Sequence, residues 1–298
     1  MTRFFCLALV LIAGKLHAQY IPKFDVNGYR VSSDAKPQNT ALAFITALDS
    51  GVTTIKMEVV ITKDNRVIVS PEPWMNLENC MKSDNTLLSR KYGKSAFNFY
   101  QMNYEEIRSL GCQEIAVSKP LLRDVIVAVE EHIKGYSAYE VDYAIEIRSS
   151  KTTDDKFHPS PEVYSDLVYQ LIDQYLPLTR VVIQSADFRV LKYWHKRYPE
   201  VRLCALITNT KSVTSNLREL GFNPSVYGIK YSSLRQSQVR ELHERKIRVI
   251  PWFVNTIIDM KKLKDWGADG FVTAFPQRAL QAGYGLKLNI EKSESGGR

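Results

Sequence analysis

The sequence predicts an α/β protein folded as a single (β/α)8 TIM barrel, and three observations carry that expectation. Short runs rich in β-branched residues alternate with amphipathic helical stretches, the pattern of βα units feeding a parallel sheet. Eight such runs remain once one short run is assigned to a hairpin. The length of 298 residues suits a barrel, which uses about 250 residues as one domain.

Strands are expected at 25–30, 53–60, 67–70, 142–148, 180–184, 202–207, 226–230, 248–253 and 269–273. Helices are expected between them at 39–49, 121–134, 161–175, 188–197, 213–220, 236–244 and 257–266. In the first of these, Leu42, Phe44, Ile45 and Leu48 recur at helical spacing, and Gly51 closes the helix as a C-terminal cap. Residues 61–66 are too few for a crossover helix, so 67–70 is expected to fold back on the preceding strand.

The stretch 74–119 breaks the alternation, with turn signals at Asp84-Asn85 and Gly93 and one short helical pattern at 104–110. It is read as an insertion after the second strand, lying over the mouth of the barrel. The barrel domain is expected to span 19–288 and to be followed by a disordered tail, 289–298.

The first eighteen residues have the form of a signal peptide: Arg3, an apolar run at 4–13, and Leu16-His17-Ala18 before Gln19. That run is too short to span a bilayer, which takes about 20 helical residues. No second long apolar stretch follows, so the expectation is a protein exported to the periplasm or beyond, without a membrane span. In that setting a Cys80–Cys112 disulfide would staple the insertion. Cys204, within an apolar strand, is expected to be a buried thiol.

Forty basic against 32 acidic residues give a net charge of +8. This favours anionic partners or a negatively charged surface. The basic residues are scattered rather than gathered into a stripe, which argues against nucleic acid.

Several short motifs occur at the expected strand ends. In order they are Gly28-Tyr29-Arg30, Pro37-Gln38-Asn39-Thr40, Ile55-Lys56-Met57-Glu58 and Ser70-Pro71-Glu72-Pro73. Ala144-Ile145-Glu146-Ile147-Arg148-Ser149, Val182-Ile183-Gln184-Ser185-Ala186-Asp187, Pro251-Trp252-Phe253-Val254-Asn255 and Asp269-Gly270-Phe271-Val272-Thr273 follow. Together the order resembles the glycerophosphodiester phosphodiesterase family, whose corresponding signatures begin H-R-G, P-E-N-T, I-E-x-D and H-D/E-P.

The resemblance implies a phosphatidylinositol-phosphodiesterase-like barrel that hydrolyses phosphoric diesters in lipid or glycerophosphodiester metabolism. It also implies a divalent cation held by three carboxylates, a phosphate-clamping arginine, and two histidines as acid and base. Arg30 stands at the arginine position and Glu146 at one metal carboxylate. Glu58 replaces an aspartate, Lys56 replaces the third carboxylate, and Arg148 replaces a lysine. Gln38 stands for the glutamate of P-E-N-T. Both histidine positions are substituted, by Tyr29 and Pro71. Tyrosine, with an ordinary pKa of about 10, makes a poor base at neutral pH.

Residues i and i+2 of a strand share a face, so Lys56 and Glu58 should both point into the barrel. One ammonium with two carboxylates carries the same net charge as three carboxylates around a divalent cation. The lysine is thus expected to stand where the metal would, and no metal or other cofactor is expected. Trp252 is expected either to wall the pocket or to pack in the core. Among the histidines, only His158 falls in a loop near the mouth.

The reading is a catalytically impaired family member that binds an anionic small molecule, a phosphodiester or phosphate, through Arg30, Lys56, Glu58, Glu146, Arg148 and Trp252. An active phosphodiesterase is the alternative, with Tyr29 as acid, Glu58 or Glu72 as base and calcium or magnesium as cofactor. A third reading is an exported scaffold that binds a protein partner through 74–119.

Overall fold

The computed structural model describes residues 23–29, 38–75, 96–109, 119–135 and 141–286. Signal segment, tail, Arg30, Cys80 and Cys112 lie outside these residues, and with them the Cys80–Cys112 pairing. No helix among the described residues is long and apolar enough to cross a membrane.

Eight parallel strands form the barrel: β1 (Asp25–Tyr29), β2 (Thr54–Ile61), β4 (Asp142–Ile147), β5 (Val181–Ser185), β6 (Arg202–Ile207), β7 (Val226–Ile229), β8 (Arg248–Val249) and β9 (Gly270–Thr273). They neighbour one another in the order β8-β7-β6-β5-β4-β2-β1-β9. The ring nearly closes where Asp269 N donates to Val249 O at 3.0 Å and Val272 N donates to Pro251 O at 2.8 Å. Strand β3 (Val67–Val69) folds back antiparallel on the end of β2, with Val59 opposite Val69. That is the hairpin expected from the short 61–66 connection.

Each strand but β2 leads into a helix whose start is locally encoded. Thr40 caps α1 (Ala41–Asp49), accepting from Ala43 N, and Asp187 caps the helix Phe188–Arg197. Ser160 caps Pro161–Tyr175, with proline at its first position, where a missing N–H costs nothing. After α1 the chain turns through Gly51 at φ +78°, and a Cβ there would lie 2.4 Å from Leu286 O. Only glycine allows both the left-handed backbone and that approach.

One departure from expectation lies at the eighth strand. It was expected to run to 253 but pairs regularly only over Arg248–Val249. Pro251 has no N–H to give to a ladder, and Phe253 turns out of the strand at φ +65°.

Apolar side chains fill two layers. Ile55, Met57, Tyr143, Ile145, Ile183 and Trp194 belong to the layer between sheet and helices. Inside the barrel, Val182, Cys204, Val226, Ile250 and Val272 pack together, with Trp252, Leu206 and Tyr29 against them. Cys204 is 2% exposed, and burial pushes its thiol up to about 12, with Lys56 opposing and Glu146 adding to the rise. The described part of the insertion packs on the hairpin through Val60, Ile68, Met75, Phe99 and Ile107. Asn98 also donates to Lys156 O, tying it to the loop after β4.

Candidate functional site

At the C-terminal ends of the strands lies a cavity of about 300 Å³. One wall is ionic, built from Lys56, Glu58, Glu72, Glu146 and Arg148, and the other is apolar, with Leu206, Trp252, Phe253 and Val272. Tyr29 lies between them.

Register explains the ionic wall. Glu58 on β2 stands directly beside Glu146 on β4, a like-charge pair that would repel unless cations separate it. Two residues before Glu58, Lys56 projects to the same side, and its Nζ meets Glu146 Oε2 at 2.5 Å. Just past Glu146, Arg148 meets Glu58 Oε1 at 3.2 Å, with Glu146 Oε1 at 3.8 Å and Glu72 Oε1 at 3.9 Å. Each strand therefore sends its cation to the other strand's carboxylate. Lys56 Nζ also lies 4.3 Å from the centroid of the Tyr29 ring, within cation–π range.

The pairs are unequally buried. Lys56 and Glu146 side chains are 7% and 13% exposed, so their bond is shielded from solvent. Arg148 is 45% exposed and also donates to Pro71 O at 2.5 Å. Pro71 thus contributes a backbone acceptor. Ser70 N donates to Glu58 O at 2.9 Å, and this bond brings Glu72 to the cluster.

A divalent cation fits these residues poorly. Oxygen donors for such an ion are usually carboxylates, carbonyls and water. Here Glu146 already holds an ammonium at 2.5 Å and Glu58 a guanidinium at 3.2 Å. A cation between them would face the repulsion of Lys56 and Arg148. No group of three or more His, Cys, Asp or Glu suited to a metal occurs among the described residues.

His158 does not serve the mouth. It is 4% exposed, and its Nε2 takes the N–H of Ser150 at 3.2 Å. Nδ1 lies 2.8 Å from Pro159 O, which assigns the ring proton to Nδ1. The ring shapes the loop after β4. Arg189 holds that loop down by pairing with Asp154 at 2.6 Å and Asp187 at 2.6 Å. The Arg189 hydrogen bonds hold the Asp154 carboxyl below its usual range. Asp187 is also lowered: burial pulls the other way, but hydrogen bonds from Arg189 and Ser149 prevail.

Of the residues expected at the site, the structure brings together Tyr29, Lys56, Glu58, Glu146, Arg148 and Trp252. Sequence reasoning gave Glu72 a role only as a candidate base in the active alternative, and missed Phe253 and Leu206. For Phe253 a signal existed, since it sits directly beside Trp252 after Pro251.

A parallel eight-stranded barrel with a charged pocket at the strand ends defines a class shared by many hydrolases. The chain belongs to the glycerophosphoryl diester phosphodiesterase family, whose model matches residues 30–278. It is 27% identical over 252 residues to a glycerophosphodiester phosphodiesterase of Bacillus altitudinis, covering 82% of this chain and 92% of that protein. In fold it is similar to a putative family member from Silicibacter pomeroyi, with TM-score 0.72 and 19% identity over 90% of this chain and 97% of that one. It is likewise similar to an Oleispira antarctica phosphodiesterase in complex with the product sn-glycerol-3-phosphate, with TM-score 0.68 and 16% identity over 87% and 96% of the two chains.

Proposed function

We propose that this chain is a family member impaired in metal-assisted phosphodiester hydrolysis that keeps the barrel mouth as a binding site for an anionic small molecule. The observation that carries the reading is Lys56 Nζ, 2.5 Å from Glu146 Oε2 and buried where a carboxylate-bound cation would lie. Tyr29 and Pro71 stand where acid–base histidines would be needed, and His158 is committed to its loop. The described lining supplies carboxylates and one phenol but no imidazole.

The ligand class is supported by the similar Oleispira antarctica phosphodiesterase in complex with sn-glycerol-3-phosphate. Lys56 and Arg148 are outweighed by Glu58, Glu72 and Glu146 in the described lining. A phosphate therefore depends on Arg30, from the retained arginine position, and on the exposed edge of Arg148. Trp252, Phe253 and Leu206 give the rest of the molecule an apolar wall.

The test is calorimetric titration with sn-glycerol-3-phosphate and with calcium or magnesium, alongside turnover of glycerophosphodiesters with and without chelator. Binding of the phosphate without metal, lost in Arg30→Ala, is the expected result. Metal-dependent turnover above that of Arg30→Ala refutes the reading. Chelator-insensitive turnover abolished by Tyr29→Phe would replace it with a metal-free hydrolase.

A further inference from the structure

Among the described residues seven large apolar side chains are exposed, and five of them lie at one end of the barrel. In a (β/α)8 fold the helix N-termini and the connections from strands to helices share the end that carries the mouth. Phe253, 53% exposed, follows β8, and Ile258, 78% exposed, is the second residue of the helix Ile257–Asp265. Phe275, 40% exposed, follows β9, and Leu42, 52% exposed, is the second residue of α1. Strands β8, β9 and β1 are consecutive around the barrel, so these four side chains occupy three adjoining connections. Val163, the fifth, starts the helix after β4.

This distribution is not what a solvated rim requires. Isolated exposed apolar residues are ordinary, whereas a group of them on one face marks an interaction surface. Phe253 adds a second observation: a bulky residue held at φ +65°, a backbone conformation with a conformational cost. That geometry places its ring at the rim, 4.9 Å from Trp252.

Charge selects the occupant. Lys261 follows Ile258 by three residues, so it shares its face of the helix, and it is exposed, whereas Lys262 turns its Nζ to the Trp266 ring at 5.0 Å, toward the other end of the helix. Arg278 stacks over the Phe275 ring at 4.2 Å while donating to Asn255 O, and Lys230, whose backbone pairs with that of Trp252, is exposed. Against them stand Asp259, half-buried and bonded to Tyr231 and Thr256, and, within the mouth, Glu58, Glu72 and Glu146, which face Lys56 and Arg148. Apolar tips backed by flexible cations suit the boundary between acyl chains and anionic headgroups, where lysine stems lie along apolar surface and their charges reach the phosphates.

We propose that the mouth face of the barrel docks on an anionic lipid surface through Phe253, Ile258, Phe275 and Leu42, with Lys230, Lys261 and Arg278 meeting the headgroups. Docked in this way, the cavity opens toward the lipid rather than toward bulk water.

The experiment is co-sedimentation of the purified chain with phosphatidylcholine vesicles and with vesicles that also contain phosphatidylglycerol. Binding is expected only to the latter and should weaken with added salt. Ile258→Ser with Phe275→Ser should reduce it about tenfold or more. Val127→Ser, which alters an exposed apolar residue on the flank of the helix Leu122–Lys134, should leave it unchanged. Circular dichroism melts check that each variant is folded, and Ile258→Ser alone serves if the double variant is not. Three results overturn the proposal: no binding to either vesicle, equal loss in Val127→Ser, or concentration-dependent self-association of the wild type abolished by Ile258→Ser.

Discussion

Replacing Lys56 by glutamate tests whether the ammonium does the work of a bound cation. The substitution removes the buried partner of Glu146, whose side chain is 13% exposed, and adds a third carboxylate beside Glu58. Breaking a buried ion pair by removing one partner costs about 3–5 kcal/mol. For a domain of this size each kcal/mol lowers Tm by about 2–4 °C, so a fall of roughly 6–20 °C is expected. The variant should then recover with calcium or magnesium, because a cation can now enter among three carboxylates. At a hundredfold excess over Kd, binding returns about 2.7 kcal/mol. Wild-type protein should gain nothing from the same additions. Thermal melts with and without cation, supported by calorimetry, read both effects. The reasoning fails if Lys56→Glu melts with the wild type, or if wild type gains as much from the cation as the variant does. Lys56→Gln, which loses the charge without adding one, should be destabilised and stay insensitive to metal.

Three further outcomes follow from other parts of the barrel. Burial lifts the Asp142 carboxyl to about 6 despite Arg202 at 2.7 Å. Between about pH 4 and 6 the folded chain therefore holds more proton there than the unfolded chain, and this contribution to stability is lost as pH rises through 6. Urea unfolding should show wild type losing roughly 2 kcal/mol more than Asp142→Asn between about pH 4.5 and 7. Cys204, its thiol pushed up to about 12, should resist alkylation at neutral pH until denaturant is added, as peptide mass mapping would show. Gly51→Ala should cost at least about 1 kcal/mol in denaturant unfolding, since alanine meets Leu286 O at a left-handed φ.

Much of the architecture was legible because period and punctuation agree. The 161–175 helix shows both, with proline at its first turn and apolar residues at helical spacing, and it forms with the expected bounds. The eighth strand was less legible, because β-branched composition pointed to pairing while Pro251 and Phe253 removed it. At the site, alternation along β2 was enough to put Lys56 and Glu58 on one face. It could not say which cation would meet which carboxylate, since that depends on the register of β2 against β4. Nor could it place Glu72, which reaches the cluster only because the β2–β3 hairpin brings the chain back to the mouth. Phe253 was passed over for its neighbour Trp252, because exposure is a property of backbone direction rather than of residue type.

The Lys56–Glu146 bond also changes what the pocket depends on. A diffusible ion must be supplied by the surroundings and can be competed away, whereas a side chain on the neighbouring strand is delivered by folding at very high effective concentration. The positive charge that Lys56 brings to this pocket is therefore inherited with the backbone. An incoming ligand, in turn, has no vacant charge at Lys56 to fill and must compete with a tethered carboxylate for it.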